Sequence, residues 1–483
     1  MKISTDRRQP LAILLPPHGV PTILRPVLRA YVLGYLSSAA PRVLTLTLTY
    51  LTRKQKGLSP LCRSSFFSSL RRIIRGGLEL QRFPTFCATL VGGTTLLQFP
   101  LQALVAVIAS SRSGMVQVRL ARWLSTFIAA WFSLRLLQSK KSKAFIEYVP
   151  EEASSGIIQK PIHFAGRTMD LTLFAVTRAV DVVVGELWSQ RRRQKRPSSR
   201  RMNLETLTST LADPAVFAAS CALIMWAWVY APDRLPRSYN KWIKTAAMVD
   251  HRLLLALRRT RYGEIKYGLE TGQADLLGSM CKDYNLPESC GDPVKTIPFP
   301  CEIVHMGSGP NCEYHALSRL VKSFLWAFST YLPLNLLLAL RNPTRKTLLR
   351  ALQSSARSSA FLGSFIASFY YGICLARTRL GPSLLGTSIP KRQMIDGGIC
   401  IGSGCVFCGW SVLLENAGRR KELGLFVVPR ALATLLPRRY EVRDQWRENL
   451  AFGVSTAVVF TCVREKPERV RGVFGKVLGK ILK

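Results

Sequence analysis

Residues 83–111 read FPTFCATLVGGTTLLQFPLQALVAVIASS, which is 29 residues without a charged side chain. At about 1.5 Å per residue, a helix of this length exceeds the roughly 30 Å thickness of the hydrocarbon core of a bilayer. A surface helix of a soluble protein carries polar residues on the face that meets water. The stretch therefore predicts a membrane-spanning helix.

Other stretches repeat this pattern. Four have 18 or 19 uncharged residues: Pro214–Pro232, Ser323–Leu340, Ser358–Ala376 and Gly397–Leu414. Three weaker candidates are Pro26–Leu51, Trp123–Gln138 and Asn449–Val463; the first two contain arginines and the third is short. A buried helix of a soluble protein is the alternative for any one stretch, but five in one chain favour membrane helices. We predict an all-α, polytopic membrane protein.

Composition agrees with a membrane location and excludes several classes of protein. The chain has 483 residues, 68 Lys and Arg against 28 Asp and Glu, and 48% hydrophobic residues. Disordered chains lack such apolar content, and the long apolar runs argue against a soluble nucleic-acid binder. Each Lys or Arg near an anionic headgroup contributes about 1 kcal/mol. We expect anionic membrane lipids, and no nucleic acid, as partners.

We expect any targeting signal to be internal rather than at either end of the sequence. Residues 1–25 hold four prolines, Arg7 and Arg8 but no sustained apolar core, so we expect no cleavable signal peptide. The final residues match neither a peroxisomal matrix signal nor an endoplasmic-reticulum retention signal. Residues 464–483 carry apolar side chains at helical spacing among basic ones, which predicts a helix lying in the membrane surface.

Two pairs of segments suggest an internal duplication. Leu171–Val180 shares six of ten residues with Leu423–Leu432, and Ala215–Arg234 aligns without a gap on Leu450–Arg469. We predict two repeated halves of about five helical segments each, with tails and a connecting region. The predicted divisions are a Pro-rich tail (1–25), a first membrane repeat (26–235), a Cys-containing soluble linker (236–311), a second repeat (312–463) and a basic amphipathic tail (464–483).

Small residues recur at helical spacing in the predicted spans. In lipid, helices associate through close backbone approach rather than through the hydrophobic effect. These residues therefore predict tightly packed helices, either as a hairpin, or against a second copy or another membrane protein, or around a pore. The predicted packing residues are Gly92, Gly93, Ala360, Gly363, Ser364, Ser368, Gly372, Gly398, Gly402 and Gly404.

Charges inside one apolar segment form a second candidate site. Arg178 and Asp181 lie three residues apart, a spacing that permits an ion pair on a helix face, and Arg430 occupies the repeat position of Arg178. A charge in the hydrocarbon core costs about 3 kcal/mol or more and so suggests function. A helix at the membrane surface with its polar side in water is the alternative.

The region between the halves contains six potential metal ligands. Four tetrahedral ligands suffice for zinc, but the spacing matches no closed zinc pattern, and disulfides or reduced thiols fit equally. The residues are Cys281, Cys290, Cys301, His305, Cys312 and His315.

Catalytic signatures are missing from the chain. It has no P-loop, no dinucleotide-binding glycine motif, no H-E-x-x-H and no G-x-S-x-G. With five His in total, we predict a protein that is not an enzyme and that has no cofactor.

Several motifs of the second half resemble the transmembrane protein 135 family. They are the stretch RSSAFLGSF at residues 357–365, GGICIG at 397–402, the segment 423–432, and CEYHALSR at 312–319. The resemblance implies a protein of peroxisomal or mitochondrial membranes involved in organelle dynamics and lipid homeostasis. It also implies a distant likeness to the translocases of the mitochondrial inner membrane and related peroxisomal membrane proteins.

The family has no established catalytic residues to transfer to this chain. The net charge of +40 and the Pro-rich first 25 residues depart from its animal members. We predict a non-enzymatic membrane protein that supports organelle maintenance and fatty-acid homeostasis. The alternatives are a transporter or pore for a lipid or small anion, and a subunit of a protein-insertion complex.

Overall fold

The computed structural model describes residues 21–55, 63–153, 156–194, 199–340 and 342–482. It is 80% helical with almost no strand, which confirms the all-α prediction. Most of the predicted N-terminal tail lies outside the described residues.

Nineteen α-helices occur in the described residues. The first six are α1 (Arg25–Gln55), α2 (Arg63–Gly77), α3 (Phe83–Leu96), α4 (Gln98–Ile108), α5 (Gly114–Gln138) and α6 (Met169–Gln194). The next five are α7 (Ser199–Tyr230), α8 (Arg237–Ala247), α9 (His251–Tyr262), α10 (Ala274–Asp283) and α11 (Cys301–His305). The last eight are α12 (Cys312–Ala339), α13 (Arg345–Leu375), α14 (Gly381–Leu385), α15 (Ile389–Met394), α16 (Cys400–Cys408), α17 (Ala417–Leu435), α18 (Gln445–Glu465) and α19 (Gly472–Ile481).

A β-hairpin, which the sequence did not lead us to predict, separates α5 from α6. Strands β1 (Ile146–Ala153) and β2 (Gly156–Ala165) are antiparallel, with Ile146 opposite His163. The short strand β3 (Tyr440–Glu441) pairs with the end of β2.

Four helical stretches are long and apolar enough to cross a membrane. They are Phe83–Ile108, Thr210–Tyr230, Arg345–Leu385 and Ile389–Leu414. Four of the five predicted spans lie in these stretches, which indicates an integral membrane protein. The fifth, Ser323–Leu340, lies mostly in α12, which contains Pro333 and is not among the four. The weaker candidates fall in α1, α5 and α18, which are helical but also not among them.

The chain forms two compact units that differ from the predicted divisions. The terminal unit comprises Met1–Arg192 and Arg439–Lys483, and the central unit comprises Arg193–Arg438. Helix α7, assigned by sequence to the first repeat, belongs to the central unit, and α18 belongs to the terminal unit. The similarity between the α7 and α18 sequences therefore did not predict which helices each of them packs against.

In the terminal unit, α3 packs between α1 and α5, and α5 packs against α18. The predicted packing glycines lie at these contacts. A Cβ atom on Gly92 would lie 3.3 Å from Val27 of α1, and one on Gly93 would lie 2.8 Å from Ala129 of α5. The sequence predicted a separate tail at residues 464–483, but Leu478 of α19 is buried in this unit's core.

The central unit repeats the same order of neighbours. Helix α13 packs between α12 and α16, and α16 packs against α7. The segment predicted as a soluble linker is part of this unit, because Leu277, Met280 and Cys281 share a buried core with Trp228 of α7. Apolar side chains at helical spacing in α8 to α10 drive this burial. The two-repeat architecture itself remains a prediction.

Gly372 and Gly404 bring α13 and α16 into backbone contact. A Cβ on Gly372 would lie 2.9 Å from the Cα of Gly404, and a Cβ on Gly404 would lie 2.6 Å from the carbonyl oxygen of Phe369. Gly363 approaches α12 in the same way, 2.9 Å from the carbonyl oxygen of Leu320. Only glycine fits at such distances, so these contacts set the spacing of the helices.

A buried ion pair closes the turn between the helices α13 and α16. Arg377 Nε lies 2.5 Å from Asp396 Oδ1, and both side chains are 6% exposed. Arg377 also donates to the carbonyl oxygen of Phe299 at 2.7 Å, and the Tyr267 hydroxyl donates to Asp396. Arg377 directly follows one predicted uncharged span and Asp396 directly precedes the next, so sequence reasoning placed both outside the spans.

We predict that Gly372→Ala destabilises the protein by about 1–3 kcal/mol, because the added methyl group overlaps α16. Gly424→Ala in α17 is the matched control, since a Cβ there meets nothing within 4 Å and alanine favours a helix by about 0.5–1 kcal/mol. Thermal unfolding of both variants in detergent measures the effect. Equal stability of the two variants would contradict the packing role of Gly372.

We also predict that Asp396→Asn and Arg377→Met each cost about 3–5 kcal/mol, because each leaves one buried charge without its partner. The double variant should lose less than either single variant, since no lone charge remains. A double-mutant cycle on the melting temperature tests this coupling. Additive losses would show that the pair does not act as a unit.

Candidate functional site

An apolar cavity of about 480 Å³ lies within the terminal unit, in the volume range of small-molecule binding sites. Helices α1, α3, α6, α18 and α19 supply its walls. The lining residues are Ala30, Leu33, Gly34, Ser37, Phe83, Phe86, Cys87, Leu90, Val91, Leu171, Phe174, Ala175, Arg178, Phe452, Thr456, Val459, Phe460, Phe474, Val477, Leu478 and Ile481.

Helical periodicity explains how these side chains reach one cavity. Leu171, Phe174, Ala175 and Arg178 follow the i, i+3, i+4, i+7 pattern that places them on one face of α6. The lining residues of α3 belong to the candidate membrane span Phe83–Ile108. One wall of the cavity is therefore part of a helix suited to lipid.

Arg178 is the one charged residue among those that line the cavity. Its side chain is 5% exposed, and Nη1 donates to the carbonyl oxygen of Arg471 at 3.0 Å. The guanidinium carbon lies 5.0 Å from the ring centre of Phe174 and 5.4 Å from that of Phe474. These contacts hold a positive charge at an otherwise apolar wall.

The expected Arg178–Asp181 pair is not what the structure shows. Asp181 pairs with Arg471, whose Nε lies 3.1 Å from Oδ2. Further along α6, Glu186 pairs with Lys466 at 3.2 Å, and this hydrogen bond lowers the pKa of the carboxyl group. The ionic residues of α6 thus bind the segment around α19, which had been predicted to be an independent tail.

Glu448 fastens the start of α18 beside α6. Its buried carboxylate accepts hydrogen bonds from Thr168 at 2.5 Å and Thr172 at 3.0 Å, and also one from the Tyr440 hydroxyl. Sequence reasoning did not single out Glu448, because nothing in its local sequence shows that two distant threonines would face it. The contacts keep α18 and α6 together as two walls of the cavity.

Arg430 lies elsewhere, in the central unit. Its guanidinium carbon is 3.7 Å from the ring centre of Phe426 and 5.7 Å from that of Tyr239. The repeat position of Arg178 therefore holds a cation against aromatic rings but no comparable cavity wall.

The remaining predicted packing residues do not all lie at close contacts between helix backbones. A Cβ on Gly398 would lie 2.6 Å from the guanidinium of Arg261, and one on Gly402 would lie 3.7 Å from Trp226. This G-x-x-x-G pair faces side chains rather than another helix backbone. Ala360, Ser364 and Ser368 are half-buried, whereas Gly363, one residue away, makes the close contact.

Three of the six predicted metal ligands lie together in the central unit. The ligand atoms of Cys301, His305 and Cys312 are all within 4.8 Å of one another. The ring of His315 stacks on that of His305, with centroids 4.4 Å apart. Cys281 lies instead in the apolar core around α10, and Cys290 packs at the edge of that core.

Burial shifts the pKa values of Cys301, His305 and His315 towards their neutral forms. It raises the pKa of the Cys301 thiol to about 11 and lowers the pKa of His305. Burial, with smaller contributions from His305 and Arg319, lowers the pKa of His315 to about 3. Both ring nitrogens of His315 are buried without a hydrogen-bond partner in the part of the chain that the structure describes.

The cavity offers an apolar binding surface. Its lining combines a long apolar wall with one guanidinium, a combination suited to a molecule with an acyl chain and an anionic end. Comparisons with known proteins add no assignment. No family model, no curated protein and no solved structure matches the chain.

Proposed function

We propose that the chain is a non-enzymatic integral membrane protein of peroxisomes or mitochondria that binds fatty acids and thereby supports lipid homeostasis and organelle maintenance. The observation that carries this proposal is the 480 Å³ apolar cavity with Arg178 in its wall. The candidate membrane span Phe83–Ile108 contributes part of the cavity wall, which supports a location where acyl chains are abundant.

The apolar wall supplies most of the binding free energy. Each methylene group moved from water into an apolar site contributes about 0.8 kcal/mol. A fatty acid arriving from the bilayer gains less, because it leaves an apolar solvent. Selectivity against other lipids must therefore come from shape and from the charged group in the wall.

Arg178 provides that selectivity. A guanidinium can donate two parallel hydrogen bonds to a carboxylate. Its Nη1 is held by the Arg471 carbonyl and its face by Phe174 and Phe474. Such an arrangement fixes the direction of the cation before a ligand arrives and so lowers the entropic cost of binding.

The organelle part of the proposal rests on the resemblance to the transmembrane protein 135 family and on the net charge of +40. A strongly basic protein binds membranes rich in anionic lipids. A carrier of lipids is the second candidate, because the same cavity could load at one leaflet and release at the other. Transfer of fatty acid between vesicles by the purified protein distinguishes a carrier from a binding protein.

We predict that Arg178→Gln weakens binding of a long-chain fatty acid about tenfold, which corresponds to about 1.4 kcal/mol for a lost charge-assisted hydrogen bond. Arg178→Lys should retain most of the affinity, since it keeps the charge. Binding to protein in nanodiscs, measured by displacement of a fluorescent fatty acid, gives the affinities.

Two controls make this test specific. Arg430→Gln removes the repeat counterpart and should leave affinity unchanged. The methyl ester of the same fatty acid should bind wild type and Arg178→Gln equally, because it has no carboxylate. An equal loss for acid and ester would mean that Arg178 only supports the fold, and no saturable binding to wild type would refute the proposal.

We also predict that Ala175→Phe abolishes binding by filling the cavity while the melting temperature stays close to that of wild type. Ala175 lies on the cavity wall. Photo-crosslinking of a diazirine fatty acid, followed by peptide mapping, should label the cavity helices α1, α3, α6, α18 or α19 in wild type and none of them in the variant. Labelling outside these helices would contradict the assignment of the site.

Localisation is tested by a tag inserted in the exposed turn at residues 269–272. A tag at this turn does not interrupt the buried part of the segment 236–311. Co-imaging with organelle markers should place the protein in peroxisomes or mitochondria. Signal confined to the secretory pathway would contradict the organelle assignment and leave the fatty-acid cavity untouched.

A further inference from the structure

A cluster of thiols and an imidazole lies in the central unit, whereas the apolar cavity belongs to the terminal unit. Cys301 and His305 are four residues apart and so lie on one side of α11. Cys312 is the first residue of α12, and Cys374 lies one residue before the end of α13. Sequence spacing could not suggest Cys374, because it is separated from the other three by a long helical hairpin.

The separation of His305 and Cys374 matches that of two ligands of a tetrahedral zinc ion. Bond lengths of about 2.3 Å to sulfur and 2.0 Å to nitrogen place S and N atoms about 3.5 Å apart across a tetrahedral ion, and two S atoms about 3.8 Å apart. His305 Nε2 lies 3.4 Å from Cys374 Sγ. The ligand atoms of Cys301, His305 and Cys312 are within 4.8 Å of one another.

A hydrogen bond fixes His305 in the tautomer that can bind a metal through Nε2. Its Nδ1 lies 2.7 Å from the carbonyl oxygen of Gly309, and a carbonyl can only accept. Nδ1 therefore carries the proton, and Nε2 turns its lone pair towards the thiols. A ring N–H bound to a backbone carbonyl is the usual outer support of a metal-binding histidine.

The backbone after α11 forms a turn that brings the Gly309 carbonyl to His305. Met306, Gly307 and Gly309 have φ angles of 50°, 79° and 83°. Positions with such positive φ angles favour glycine. The turn that these three residues make directs the chain back over the ring of His305. A Cβ on Gly307 would also lie 3.1 Å from the Tyr284 ring.

Neighbouring groups enclose the cluster and leave an approach to it. His305 and His315 are fully buried and Cys374 is nearly so, whereas Cys301 and Cys312 are half-buried. His315 stacks on one face of His305 and meets the edge of Tyr370, which holds the ligand ring in place. The cation of Arg377 acts on Cys301 and would offset the negative charge of three thiolates around a divalent ion.

We propose that Cys301, His305, Cys312 and Cys374 bind one structural zinc ion. The site would join α11 and the start of α12 to the end of α13. Three thiolates and one imidazole form a closed set typical of structural zinc. A disulfide between Cys301 and Cys312 is the competing arrangement. In that arrangement the lone pair on His305 Nε2 would bind no metal.

The experiment uses the full chain purified in detergent under reducing conditions without chelator. Elemental analysis should find about one zinc per chain. Growth in cobalt medium should yield the visible bands of tetrahedral cobalt together with thiolate-to-cobalt charge-transfer bands. Absence of metal from the wild-type protein would overturn the proposal. A Cys301–Cys312 disulfide, found by peptide mass spectrometry of protein purified without reductant, would then identify the alternative arrangement.

Variants of the proposed ligands test which residues bind the ion. Cys374→Ser, Cys312→Ser and His305→Gln should each lose most of the metal, and Cys374→Ser should weaken the charge-transfer bands in any residual cobalt protein. Cys290→Ser is the matched control, because it removes a half-buried thiol of the same region outside the cluster, and it should retain full metal content. Equal metal loss in the control, or full content in Cys374→Ser, would overturn the assignment of ligands.

Metal content of wild type decides the question even if a ligand variant fails to fold. Fatty-acid binding, which concerns the terminal unit, should survive loss of zinc if the terminal unit folds by itself. The two readouts therefore separate failure of the zinc site from failure of the proposed fatty-acid site.

Discussion

The buried pair of Arg377 and Asp396 is the constraint on which the central unit depends. An ion in an apolar interior is costly unless its partner and its remaining hydrogen-bond sites are satisfied. Here Tyr267 and the carbonyl of Phe299 complete much of the arrangement. The pair consequently joins the turn between α13 and α16 to two parts of the segment that links the chain's halves. Phe299, which Arg377 holds through its carbonyl oxygen, lies two residues before Cys301.

Close backbone contact determines the rest of the central unit. Gly372 and Gly404 bring α13 and α16 together at a distance that no larger residue allows. When the two helices cannot separate, water is kept from the ion pair, and the low local dielectric strengthens the attraction between the two charges. Glycine packing and the ion pair therefore reinforce each other near the same end of the α13–α16 hairpin.

Exchange of the last helices between sequence halves shapes the terminal unit. Helix α18 packs on α5, and α7 packs on α16, so each unit contains a helix from the other half of the chain. Because α18 and α19 supply walls of the apolar cavity, that cavity is complete only when the final residues are in place. Glu448 and the Asp181–Arg471 pair hold these walls to α6.

The sequence by itself determined the helical class, four of the predicted membrane helices and the presence of charges within the apolar segment of α6, since charge-free length and helical periodicity are local properties. It also identified three of the four proposed zinc ligands by residue type. Tertiary structure alone decided that Asp181 pairs with Arg471, that Cys374 replaces Cys281 and Cys290 in the cluster, and that α7 and α18 exchange units. The physical reason is that these are contacts between residues far apart in the chain, whose energies depend on burial and on distances that no local pattern encodes.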